Sequence, residues 1–154
     1  MRPAEVPANW KVGQLPSRKA ELAYPPQWRA ITTDPGTFSA ALLGANGAIR
    51  GYLNATPQSG AETLANWAKF RPAHNGEEGD RSVVREASAT GLPFRSATGS
   101  CVMDHYTTTS ARYREIACIV RGARATTVVV AAAQPGDWAR LRPQLERSIT
   151  SFAS

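Results

Sequence analysis

CVMDHYTTTSARYREIAC, residues 101–118, is the stretch from which the fold can be read. Folded back about Thr109 and Ser110 it becomes an antiparallel hairpin. Tyr106 then faces Tyr113, Asp104 faces Glu115, and Cys101 lands opposite Cys118. Directly opposed residues of a non-hydrogen-bonded antiparallel pair bring their Cα atoms within disulfide range. The two cysteines, the only ones in the chain, are therefore expected to be bridged, as an addition to a core that a domain of this size can build without staples. Such a bond persists in an oxidising compartment. The alternative, two reduced buried thiols acting as small apolar groups, points back to the cytoplasm. Successive strand residues face opposite ways. His105 thus shares the Cys101 face with Met103, Arg114 and Ile116, while Asp104 shares the other with Val102, Tyr106, Tyr113 and Glu115. Asp104 and His105 cannot form a hydrogen-bonded dyad. The facing carboxylates of Asp104 and Glu115 call for an arginine or solvent between them, or mark a cation site.

Outward from the hairpin, Thr126 to Ala133 is apolar without alternation, the signature of a strand covered on both faces. After it, Trp138, Leu141, Leu145, Ile149 and Phe152 recur at helical spacing, which predicts a helix over 137–152 with Pro143 in an irregular first turn. Upstream, strands are expected over 20–24, 28–33, 37–43 and 48–55, with Asn46-Gly47 turning a hairpin between the last two. Ser59 and Glu62 have capping-box spacing, so a helix is expected over 59–75, stopped at Asn75-Gly76. Strands over 81–89 and 94–107 lead into the cystine hairpin. Residues 1–19, with three prolines, read as an extended leader or linker in which Trp10 and Val12 can dock as an edge strand. Residues 20–154 read as one α+β domain: a largely antiparallel sheet with helices on both faces, a three-layer α/β/α sandwich.

The chain resembles the PsbP-like family at two places. Tyr24-Pro25-Pro26-Gln27-Trp28 is similar to that family's Tyr-Pro-x-x-Trp turn into the first sheet strands. The valine-rich strand running into Pro135-Gly136-Asp137-Trp138, Leu141-Arg142-Pro143, Leu145 to Ile149 and Ser151-Phe152 is similar to its ending. The resemblance spans roughly residues 21–152. It implies an antiparallel sheet sandwiched between helices and a non-enzymatic habit as an accessory, binding or assembly factor, often secreted or lipid-anchored in bacteria. The cystine hairpin departs from the family pattern, and no family site residue carries over.

The net charge is +6, with a pI of about 9.9. The arginines are scattered and no run of four basic residues occurs, so the charge favours solubility and weak attraction to anionic polymers over a defined groove. No apolar stretch reaches the length needed to span a membrane. The N-terminus lacks the apolar core of a signal peptide, so an extracytoplasmic protein would have had a leader or anchor upstream of Met1.

No nucleophile elbow, phosphate loop or dinucleotide fingerprint occurs. His74 with Glu77, Glu78 and Asp80 has the residue types of an acid/base or metal site, but Gly76 is expected to disrupt pairing of His74 with Glu78 on one helical face. No cofactor or metal site is expected. The first helix gathers Trp67, Phe70, Arg71, His74 and Asn75, a mixture of aromatic, cationic and amide groups suited to recognition. The expected function is a non-catalytic, extracytoplasmic accessory or binding domain for an unidentified protein or small ligand, without specific nucleic-acid binding. Its rivals are a basic binder of an anionic polymer and a hydrolase or metal enzyme using His74 or His105.

Overall fold

The computed structural model describes residues 1–154. Its elements run β1 (Lys11–Gln14), β2 (Glu21–Tyr24), β3 (Arg29–Ile31), β4 (Phe38–Leu43), β5 (Ile49–Pro57), α1 (Trp67–Glu77), β6 (Arg81–Phe94), β7 (Ala97–Thr107), β8 (Arg112–Arg121), β9 (Thr126–Ala133) and α2 (Pro135–Thr150). Strands β3 to β9 form one sheet in the order β3-β4-β5-β9-β8-β7-β6, and β1 and β2 form a separate two-stranded ribbon. Every strand pairing is antiparallel, and the class is α+β.

Strand β9 lies inside the large sheet between β5 and β8, which accounts for its unbroken apolar run. Val129, Ala131 and Ala133 pack in one core with Cys101, Cys118 and the Trp138, Leu141, Leu145 and Ile149 side chains of α2. Val128, Val130 and Ala132 pack in a second core with Val102, Ala117, Ile119 and Trp67 of α1. Alternate residues of the same strands thus serve two separate cores, one with each helix.

The β7–β8 hairpin has the expected register, with Asp104 opposite Glu115, Tyr106 opposite Tyr113 and Cys101 opposite Cys118. The Cys101–Cys118 disulfide is formed. At the tip, the Thr108 amide donates to the Ala111 carbonyl at 2.9 Å. Between β4 and β5 the Asn46-Gly47 turn places Gly47 at φ +78°, where a Cβ would be penalised. Within the stretch read as an extended leader, β1 pairs with β2 and Leu15 is buried in the α2-side core.

Several local expectations are corrected. The first helix starts at Trp67 instead of Ser59. Glu62 does reach back to the Ser59 amide at 2.9 Å, but a second reciprocal pair intervenes: the Thr63 amide donates to Asn66 Oδ1 at 2.7 Å and the Asn66 amide to Thr63 Oγ1 at 3.1 Å. That turn, and not the capping box, launches the helix. Asn75-Gly76 does not stop it either. Gly79 at φ +98° does, with Asp80 N–H on the Asn75 carbonyl and Gly79 N–H on the Gly76 carbonyl, the paired bonds of a Schellman ending. Pro72 stays within α1, and the Ala68 carbonyl that its missing amide would have engaged accepts Arg85 Nη1 at 2.6 Å. Pro143 lies in the middle of α2, on its exposed side, where water can satisfy the freed carbonyl of Ala139. Strand β6 continues through Gly91 to Phe94, so the turn into β7 falls at Arg95-Ser96.

Thiol titration of the denatured, unreduced chain should find no free thiols, and two after reduction. Closing a loop of this length contributes about 3 kcal/mol. Reduction, or Cys101→Ala with Cys118→Ala, should lower the unfolding free energy by about that amount in a urea titration.

Candidate functional site

Trp67, Phe70, Arg71, His74 and Asn75 follow the i, i+3, i+4, i+7, i+8 spacing of one helical face, and α1 presents that face to the sheet. All five line a single cleft of about 400 Å³. Its other walls come from β5 (Tyr52, Asn54), from the 59–62 loop, from Tyr106 at the end of β7, and from Glu78 and Asp80 just past α1. Trp67 anchors the helix: its indole N–H donates to the Ala117 carbonyl at 2.9 Å. The Trp67 and Phe70 rings stack at 6.1 Å between centroids, and Phe70 and the His74 imidazole at 5.6 Å. The result is a row of ring faces along the helix.

Beneath the helix lies Glu115, fully buried in the middle of the sheet. Arg71 resolves the clash between Asp104 and Glu115 that the register creates. Its Nε donates to Glu115 Oε1 at 2.8 Å and its Nη2 to Oε2 at 3.1 Å, a bidentate charge-assisted pair. Tyr106 Oη donates to Oε2 at 3.1 Å and Asn75 Nδ2 to Oε1 at 3.5 Å. Burial works against the Glu115 charge, but Arg71 and the other donors outweigh it and hold the carboxyl below its ordinary range. Asp104 is equally buried and has no hydrogen-bond partner on either carboxyl oxygen while ionised. Burial, and then the neighbouring Glu115 charge, push its carboxyl up to about 8. Protonated, it is a donor toward Glu115 instead of a second negative charge. Burial, followed by the same Glu115 charge, raises the Tyr106 hydroxyl as well, keeping it neutral.

The histidines are not brought together. His74 sits at the cleft, with Nε2 3.3 Å from Glu78 Oε1 and Nδ1 3.9 Å from Glu77 Oε2. The expected disruption of the His74–Glu78 pair by Gly76 does not occur, because the helix runs past Gly76 and keeps its i, i+4 geometry. His105 lies on the α2 face, half exposed, with Nδ1 3.0 Å from Glu86 Oε1. Glu86 is also gripped by Arg114, whose guanidinium lies 4.9 Å above the Trp138 ring. Each imidazole therefore has carboxylate company, contrary to an environment of backbone and solvent alone. No group of three or more His, Cys, Asp or Glu side chains converges as a metal would need.

Sequence reasoning missed the far walls of the cleft. Tyr106 was legible, since it shares a strand face with Asp104. Asp80 is grouped with His74 by the sequence, whereas Tyr52, Asn54 and Glu62 reach the site through long-range pairing and loop geometry that leave no local pattern.

Arg71→Met should cost about 3–5 kcal/mol, because it strands the Glu115 charge. Asp104 is protonated in the folded chain up to about 8 and ionised above the ordinary aspartate value when unfolded. Unfolding then releases a proton across that window, so stability falls as pH rises through it, by up to about 1.4 kcal/mol per unit. Glu115 has the opposite sign but acts only at and below the ordinary glutamate value. Asp104→Asn should therefore flatten the stability profile between pH 5 and 8 and leave the variant the more stable protein at pH 8, as read by urea unfolding at each pH.

No protein-family model matches the chain, and no curated protein matches it in sequence. Solved structures do match. The cyanobacterial PsbP protein (CyanoP) of Synechocystis superposes with a TM-score of 0.64 at 11% identity, over 95% of this chain and 92% of that one. A Pseudomonas aeruginosa protein of unknown function superposes with a TM-score of 0.59 at 12% identity, over 94% and 96%. A Bacteroides thetaiotaomicron protein gives 0.58 at 12%, over 95% of this chain and 48% of that one. At these identities the likeness is one of fold, and the fold of this chain is PsbP-like.

Proposed function

We propose that this chain is a non-catalytic, extracytoplasmic binding domain that takes a small ligand in the cleft beneath α1. The observation that carries this reading is the cleft: about 400 Å³, walled by Trp67, Phe70, Tyr52 and Tyr106, with the polar side chains of Arg71, Asn75 and Asn54 among them. Aromatic walls with a few placed polar groups are how proteins orient small molecules. The Cys101–Cys118 bond supports the compartment. The anionic-polymer reading loses force because Arg50, Arg71, Arg114, Arg140 and Arg142 are all engaged by carboxylates of the chain itself.

A second reading, a hydrolase using His74 or His105, draws on the carboxylate beside each ring. A nucleophile or base must stand within hydrogen-bond reach of its partner. The hydrogen-bond and ion-pair partners of these rings are carboxylates: Glu77 and Glu78 for His74, Glu86 for His105. Glu77 and Glu78 are themselves largely exposed on the end of α1, which suits a solvated helix end.

A thermal-shift screen of a small-metabolite library tests the proposal. A ligand at a hundred times its Kd should raise Tm by about 5–10 °C. Phe70→Ala and His74→Ala should abolish the shift measured from each variant's own baseline, and His105→Ala should retain it. Turnover of chromogenic ester or phosphate substrates that disappears in His74→Ala or His105→Ala would replace this reading with the hydrolase.

A further inference from the structure

We infer that the ligand of this cleft is a small organic cation carrying guanidinium or alkylammonium N–H groups, an inference that rests on the binding reading above. The chain as a whole is strongly basic, at +6, yet the cleft is acidic. Asp34, Glu62, Glu78 and Asp80 line it, and Arg71 is its one lysine or arginine. Arg71 does not offset them, because its charge is balanced by buried Glu115, which its Nε and Nη2 grip as a bidentate pair. The cleft therefore presents a negative field inside a positive surface, which concentrates cations and repels the anions that the rest of the molecule attracts. Asp80 registers that field: burial first, then the charges of Glu115 and Glu78, raise its carboxyl above the ordinary range.

A second, independent observation names the missing partner. Asn75 is 1% exposed and lines the cleft. Its Nδ2 must face Glu115, since a carboxylate accepts and cannot donate. That orientation leaves its Oδ1 buried without a partner. An orphaned buried acceptor costs roughly as much as a lost hydrogen bond and calls for a donor. A ligand that is positively charged and bears N–H groups supplies both requirements at once.

The ring faces choose an organic body over a bare ion. Trp67, Phe70 and His74 stack in a row, a surface that attracts guanidinium and ammonium groups and the apolar chains that carry them. A metal ion wants three or more ligands converging on one point, and no such convergence exists here. Carboxylates on several walls, an unpartnered acceptor on Asn75 and a strip of aromatic rings suit an extended cation with more than one N–H head. Quaternary ammonium compounds satisfy the field and the rings but leave Asn75 unanswered, so they should bind more weakly.

Nuclear magnetic resonance on the full chain tests this directly. The Trp67 indole N–H signal is identified by its proximity to Ala117, which needs no mutation. Agmatine should move that signal saturably. Tetramethylammonium should bind at least about tenfold more weakly, for want of a donor to Asn75. Asp80→Asn and Glu78→Gln, both at positions outside the core, should each weaken agmatine about two- to fivefold. Calcium or glutarate moving the Trp67 signal as effectively as agmatine would overturn the inference, as would agmatine affinity unchanged in both variants. If agmatine has no effect while a neutral or anionic compound from the thermal screen moves the Trp67 signal, the cleft binds but its charge preference has been misassigned. If no compound acts there in either experiment, the binding reading falls with it.

Discussion

A carboxylate in the middle of a sheet, out of contact with water, is the constraint on which the α1 side of this molecule depends. Glu115 cannot be ionised there unless donors surround it, and the donors come from two places: Arg71 and Asn75 on α1, and Tyr106 on the adjacent strand. The helix is therefore placed by a polar requirement as well as an apolar one. Trp67 and its neighbours would pack against Val128 and Val130 in more than one way. Only one rotation of the helix also delivers a guanidinium fork to Glu115. The same rotation turns Phe70 and His74 into the space between α1 and β5, so the cleft and the buried ion pair have a common origin.

The opposite core is organised without charge. Val129, Ala131 and Ala133 present a smooth surface to α2, whose Leu141, Leu145 and Ile149 are fully covered. A polar fastening lies at the start of α2, where Asp137 accepts from Arg50 and Arg140. The sheet thus divides the molecule into a side with a large apolar core and a side where a buried ion pair sits among the apolar groups. The proposed recognition surface lies on the second, where placed polar groups have partners that hold them rigidly.

Most of the scaffold is legible in the sequence, since the hairpin register, the β9 run and the α2 spacing are local patterns with one physical reading. The five α1 residues were legible as a set, because a helix face is defined by spacing alone. The start and end of α1 were not. Thr63 with Asn66 and Gly79 with Asp80 are weaker signals than the Ser59–Glu62 box and Asn75-Gly76, and which of two turns launches or stops a helix depends on where the chain must next go. The acidic walls of the cleft could not be assembled either. Asp34, Glu62 and Asp80 lie on separate connections, and only the folded sheet decides which connections share an end.

The disulfide has a meaning beyond the loop it closes. Cys101 and Cys118 lie on the α2 face, whereas Asp104 and Glu115, a few residues away on the same two strands, lie on the other. Sliding β7 by a single residue past β8 would reverse which face each of its side chains occupies, driving a carboxyl into the larger apolar core. A covalent tie between directly opposed residues excludes that slip. After any transient opening, the hairpin can close only in phase, so a sulfur bridge on one side of the sheet acts as the index mark for the charges on the other.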